Sequence, residues 1–133
     1  MSDGRTFLLD ANALIALVVA DHEHHVPAAR WAAEVDSIAL CPIVEGALIR
    51  FLVRVGEGQA SAVAILSALY RSPRCEFWED ALSYEAVELG GVVGHRQVTD
   101  AYLAALAKSR GGRLATFDRA LAGAFPSETE LIR

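Results

Sequence analysis

Short apolar runs that stop at, or just before, a carboxylate constrain this chain more than any other feature. Residues 6–9 (TFLL) run straight into Asp10, and residues 114–117 (LATF) into Asp118. Residues 37–43 (SIALCPI), stopped by Pro42, form a third buried-strand candidate, with Glu45 just beyond. CEFW at 75–78 is short and β-prone, and residues 130–132 suit a last edge strand. Between these runs, apolar residues return at helical spacing over 12–19, from Pro27 to about Glu34, and over 44–55, 61–70, 84–89 and 99–108. The 99–108 stretch carries Ala and Leu nearly all round, as a helix buried on most faces does, and Gly111 and Gly112 close it. Apolar strands alternating with helices predict βαβ units, hence an α/β fold with a mostly parallel central sheet and helices on both faces. With no repeat and no linker, residues 1–133 are expected to form a single domain.

Composition excludes several classes. Hydrophobic residues make up 53% of the chain and charged residues 22%, with mean hydropathy +0.31. That is too apolar for disorder, and apolar enough that part of the surface is expected to face a partner. The longest apolar run, residues 13–20, falls far short of the roughly 20 residues of a membrane span, so no membrane role is expected. The opening stretch MSDGRTFLLD places an acid ahead of a short apolar run, the wrong order for a secretory signal, and predicts a cytoplasmic location. Cys41 and Cys75 lie in strand-like runs without C-x-x-C spacing and are expected to be buried free thiols. The net charge of −5 gives no general basic surface for nucleic acid. Eleven of the twelve basic residues are Arg, however, whose forked donors suit phosphate, so local basic patches stay open.

Ligands of open parallel sheets sit beyond the carboxyl ends of the strands. Asp10 and Asp118 end strands there, while Glu45 and Asp100 open helices that follow other strands or loops, so the four acids are expected to converge on one edge. Taken singly, each has an ordinary explanation, because acids in a first helical turn satisfy free N–H groups. Capping would accept Ser, Thr or Asn as readily, so four carboxylates ask for more. Carboxylates held close together repel unless they are protonated or share a hard cation, and oxygen ligands suit Mg²⁺ or Mn²⁺. The expectation is a metal-assisted hydrolase. Neither G-x-S-x-G nor G-x-x-x-x-G-K occurs to suggest another chemistry.

The blocks FLLDANALIAL around Asp10, PIVEGALIR around Glu45, VTDAYLAALA around Asp100 and LATFDRAL around Asp118 resemble, in order and spacing, the four acidic motifs of the PIN-domain ribonucleases. The likeness is nearest to the VapC toxins of bacterial toxin–antitoxin pairs, and with the DHEHHVPAARW stretch it covers nearly half the chain. It implies a three-layer α/β/α sandwich, cleavage of RNA by water activated with Mg²⁺ or Mn²⁺, a homodimer, and a cognate VapB-like antitoxin. By motif, Asp10, Glu45 and Asp100 correspond to the core metal ligands, with Asp118 completing the pocket. Asn12 and Thr116 match the small polar residues accompanying the first and last acids, and read equally well as a helix-start and a strand residue. Gly46 departs from the Asn that often follows the second acid.

His22, His24 and His25 lie too close in sequence to make a closed metal site and read as a solvated loop and helix start. Arg50 and Arg54, one turn apart, face either the pocket or surface acids. His95 and Arg96 read as a solvated loop before Asp100. A haloacid-dehalogenase-like phosphatase also starts from an acid after a buried strand, but it needs a second Asp where Asn12 stands and leaves Glu45 unexplained. A non-catalytic RNA- or protein-binding PIN module leaves all four acids without work.

Overall fold

A computed structural model describes residues 5–133. The five strands are β1 (Thr6–Leu9), β2 (Ser37–Leu40), β3 (Cys75–Phe77), β4 (Arg113–Thr116) and β5 (Thr129–Leu131), all paired in parallel in the order β3-β2-β1-β4-β5. β1 is central: Phe7 lies opposite Ile38 on one side and Arg113 on the other. Leu8, Leu9, Leu40 and Leu114 are fully enclosed, which explains why these strands read as apolar runs without alternation.

The helices are α1 (Ala11–Val18), α2 (His25–Glu34), α3 (Pro42–Arg54), α4 (Gln59–Tyr70), α5 (Val98–Ser109) and α6 (Arg119–Ala124). Right-handed crossovers place α1 to α4, which link β1 to β2 and β2 to β3, on one face, and α5 and α6 on the other. α5 buries Ala101, Tyr102, Leu103, Ala104, Leu106 and Ala107, matching its apolar surface on most sides. The expected α/β/α sandwich is therefore the fold. Among the described residues no helix is long and apolar enough to cross a membrane.

Strand order reverses between β1 and β4, because the chain leaves β1 toward β2 and returns to β4 on the opposite flank. Such a switch point opens a crevice beyond the carboxyl ends of the two strands, and Asp10 and Asp118 stand there. The Asp10 N–H still bonds the Ala115 carbonyl at 3.2 Å, so the acid sits where the β1–β4 ladder ends.

Three expectations are corrected. The 37–43 run is strand only to Leu40, because Pro42 opens α3 at a position where its missing N–H costs nothing. Residues 84–89 do not form a helix: a single 3₁₀ turn, Tyr84–Ala86, is capped by the Ser83 side chain. The segment ends at Gly90 and Gly91, and the Glu88 carboxylate accepts from Gly90 N–H at 2.8 Å, closing it in a turn. Both cysteines are free, but only Cys41 is buried; Cys75 is half-buried.

Gly112, just ahead of β4, lies close against the start of β1. A Cβ there would collide with the Thr6 carbonyl oxygen and stand 3.1 Å from the Trp78 ring. Gly123, in α6, has open space around it. Gly112→Ala is expected to cost about 1–3 kcal/mol in urea unfolding, whereas Gly123→Ala should be neutral or stabilising by about 0.5–1 kcal/mol. Equal effects would refute the close approach of β1 and β4.

Candidate active site

Asp10 leaves β1 with an extended backbone and caps α1, its Oδ1 accepting from the Ala13 N–H at 2.7 Å. It is 5% exposed, the only charged group in the buried core of the described residues. Thr116, at the end of β4 and wholly enclosed, donates its hydroxyl to that carboxylate. The same Oγ1 accepts from the Asp118 N–H at 3.0 Å. Thr116 thus stands between the two strand-end acids. Asp118 in turn caps α6, Oδ1 accepting from Leu121 N–H at 3.0 Å. Asp100 comes from the first turn of α5, half-buried.

These three acids line one cleft of about 390 Å³ with Asn12, His22, Glu23, His24 and Phe117. Burial, reinforced by the charges of Asp100 and Asp118, raises the Asp10 carboxyl from 3.8 to about 6, against the opposing hydrogen bonds from Thr116 and Ala13. Burial and then the charge of Asp118 also raise Asp100. The cleft is therefore anionic and strained by like charge, an arrangement that a hard divalent cation relieves.

Glu45 sits in the first turn of α3, as expected, but does not line this cleft. Its Oε2 accepts from the Tyr70 hydroxyl at 2.5 Å. Burial and this acceptor push the Tyr70 phenol far up, and burial followed by the nearby Glu45 charge raises the Cys75 thiol to about 11. The structure thus brings together Asp10, Asp100 and Asp118 and holds Glu45 toward α4. Among the described residues no three carboxylate, imidazole or thiolate groups form a ready-made ion cage. Mg²⁺ does not need one, since it keeps several waters and takes one or two carboxylates together with substrate phosphate oxygens.

The histidine stretch does more than the sequence suggested. His24 stacks on Phe117 with ring centroids 4.9 Å apart, the His22 ring lies 5.7 Å from His24, and both imidazoles wall the acidic cleft. The His24 N–H donates to His22 Nδ1 at 3.0 Å, while His25 anchors the loop by donating from Nδ1 to the Ala16 carbonyl at 2.9 Å. Alternating positions 22 and 24 were the available signal, but only the return of the loop over β4 shows where they point. His95 and Arg96 are exposed and stand outside the cleft.

Residues 7–124 match the family described as PIN domain. Ribonuclease VapC29 of Mycobacterium tuberculosis is 58% identical over 118 residues, covering 88% of this chain and 89% of that protein. Ribonuclease VapC39 of the same organism is 40% identical over 127 residues, covering 88% and 91%. Among solved structures, Mycobacterium tuberculosis VapC20, described as a Sarcin-Ricin loop cleaving toxin, superposes with a TM-score of 0.70 at 21% identity, over 96% of this chain and 99% of that one. VapBC2 from Rickettsia felis, bound to a DNA fragment from its promoter, gives 0.68 at 15% identity with the same coverage. The chain belongs to the PIN-domain family, in its VapC ribonuclease branch.

The raised Asp10 carboxyl has a measurable consequence for the metal-free protein. A group whose pKa rises on folding adds stability below its unfolded value, near 3.8, and loses it as pH climbs through the folded value, about 6. At neutral pH the buried charge therefore costs on the order of 3 kcal/mol. In EDTA, Asp10→Asn, whose amide oxygen can still cap Ala13, should melt several degrees above wild type at pH 7.5, and the gain should vanish near pH 4. A gain independent of pH would show that Asp10 is not a buried charge.

Proposed function

We propose that this chain is a divalent-metal-dependent endoribonuclease, the toxin of a toxin–antitoxin pair, acting on single-stranded or looped RNA. The observation that carries the reading is the convergence of Asp10, Asp100 and Asp118, from three separate elements, into one cleft at the switch point of the sheet. The donor set fits Mg²⁺ or Mn²⁺: all oxygen, three negative charges, and open on one side for phosphate and water. Asp10 and Asp100 would hold the cation, with Asp118 completing the pocket. When bound, such an ion activates water and neutralises charge on the phosphodiester. The chain's own part is to hold these carboxylates in fixed positions. Thr116 orients Asp10, the α1 and α6 N–H groups hold one oxygen each of Asp10 and Asp118, and Asn12 offers an amide at the rim. Unpaired RNA is favoured because a scissile phosphate must enter a cleft walled by the histidine loop.

Glu45 is the fourth acid by motif, and its hydrogen bond to Tyr70 engages only Oε2, leaving Oε1 for a cation or water at the same sheet edge. Tyr70 then serves to position it. The relatives' ribonuclease names support the activity, and the Rickettsia felis VapBC2 structure supports a VapB-like antitoxin partner. A homodimer is proposed from the apolar surface of the first half of the chain, where Val26 and Val63 are exposed.

Purified protein incubated with total RNA and Mg²⁺ or Mn²⁺ should yield discrete fragments that EDTA suppresses. Asp100→Asn should abolish cleavage and most of the rise in melting temperature that saturating Mn²⁺ gives wild type. Identical responses to Mn²⁺ would remove Asp100 from the site, and metal-independent cleavage would remove the metal. In the same assay Glu45→Gln should lose cleavage by about 100-fold or more, as for loss of a ligand, with Tyr70→Phe much milder. Wild-type rates for Glu45→Gln would make Glu45 a structural acceptor only. Light scattering should report twice 14.3 kDa for the protein alone and a larger complex after co-expression with the product of the adjacent small reading frame; a 14.3 kDa species in both would overturn the assembly.

A further inference from the structure

The acidic cleft has a neighbour of opposite character. A groove of about 820 Å³ runs between α1 and α3; its floor is mostly apolar, with Ile15, Ile49 and Val53 among its lining, and Arg50, Arg54, Gln59, Asn12 and His22 supply its polar groups. Asn12 and His22 also line the acidic cleft, so the two depressions share a wall and form one continuous surface. Arg50 and Arg54 are exposed, lie one helical turn apart, and have no carboxylate partner among the ion pairs of the described residues. Arg54 is carried over the Phe51 ring, 5.7 Å from its centroid.

Gly46 explains where Arg50 points. A Cβ on Gly46 would stand 3.5 Å from an Arg50 guanidinium nitrogen, so the Arg50 side chain folds back along the first turn of α3, toward the sheet edge that carries the acids. A side chain at this position would pack against the Arg50 guanidinium. The departure from the family pattern therefore coincides with an Arg laid beside the cleft.

A polyanion must approach three carboxylates on a chain of net charge −5, and local cations have to offset that repulsion. Resting on the ribonuclease reading above, we propose that the Arg50–Arg54 groove is the track that holds single-stranded RNA flanking the scissile phosphodiester. Arg50 and Arg54 take successive stretches of the phosphate backbone through their forked donors, with the Phe51 ring supporting the Arg54 guanidinium from beneath. Asn12 and His22 pass the strand from the track into the acidic cleft. An acidic segment of a protein partner could meet the same arginines, but continuity with the catalytic cleft favours substrate.

The test measures anisotropy of a labelled single-stranded RNA oligonucleotide in EDTA, where no cleavage occurs, for wild type, R50Q/R54Q and R50K/R54K. The Gln pair should bind about tenfold more weakly at 0.1 M salt, and its log–log salt slope should be smaller by about 1.4, two phosphate contacts at roughly 0.7 each. The Lys pair should keep most of the affinity. With Mn²⁺ the Gln pair should show a raised KM and a kcat near wild type. Unchanged binding and KM in the Gln pair, with wild type cleaving, would overturn the track alone. Binding that depends on the arginines in a wild type that cleaves no RNA with any cation would support the track and overturn the nuclease. A changed oligomeric state with unchanged RNA affinity would assign the face to a second copy of the chain and refute the track. Equal melting temperatures of the three proteins confirm that the substitutions act at the surface.

Discussion

The proposed site depends on keeping one carboxylate, Asp10, out of water. Burial raises its pKa, and two hydrogen bonds, from the Thr116 hydroxyl and the Ala13 N–H, oppose that rise, leaving the group at about 6. The balance is deliberate in the physical sense that a dry, ordered carboxylate binds a hard cation without first shedding a mobile hydration shell. The same burial makes the metal-free fold weaker at neutral pH, so the site and the stability of the sheet are opposed terms of one interaction.

The sheet supplies the geometry for this. Parallel pairing of β1 with β4 brings Leu9 beside Ala115, so that Asp10 and Thr116 follow in adjacent positions at the carboxyl edge. From there one hydroxyl links both acids: Asp118 N–H to Thr116, Thr116 to Asp10. A valine in place of Thr116 would fill the same space but remove both bonds, leaving a buried carboxylate with a single donor. The requirement for Thr is thus polar, although the position reads as an ordinary β-branched strand residue.

Much of this was legible in the residues. Asp10 and Asp118 announce themselves by ending apolar runs, and Asp100 by opening a helix apolar on most sides; these properties are local, so sequence carries them. What sequence does not carry is orientation set by distant partners. Glu45 falls in the expected turn, but its carboxylate turns toward Tyr70, twenty-five residues later. His22 and His24 belong to the cleft only because the loop folds back over Phe117. The 84–89 segment has helical spacing but folds into a turn closed by Glu88 and Gly90, and α6 is too short, and interrupted by Gly123, to stand out from periodicity.

The three clustered acids come from positions 10, 100 and 118, and the last two lie in the final quarter of the chain. Synthesis proceeds from the amino end, and early segments can begin to organise before later ones exist. Here β1, β2 and β3 can pair while the polypeptide is still growing, but the central strand lacks its second neighbour until β4 is made. The cleft therefore closes only at the end of translation, and a prematurely truncated product has one acid of the three and no catalytic centre. The order of the strands thus delays assembly of the proposed site until nearly the whole chain exists.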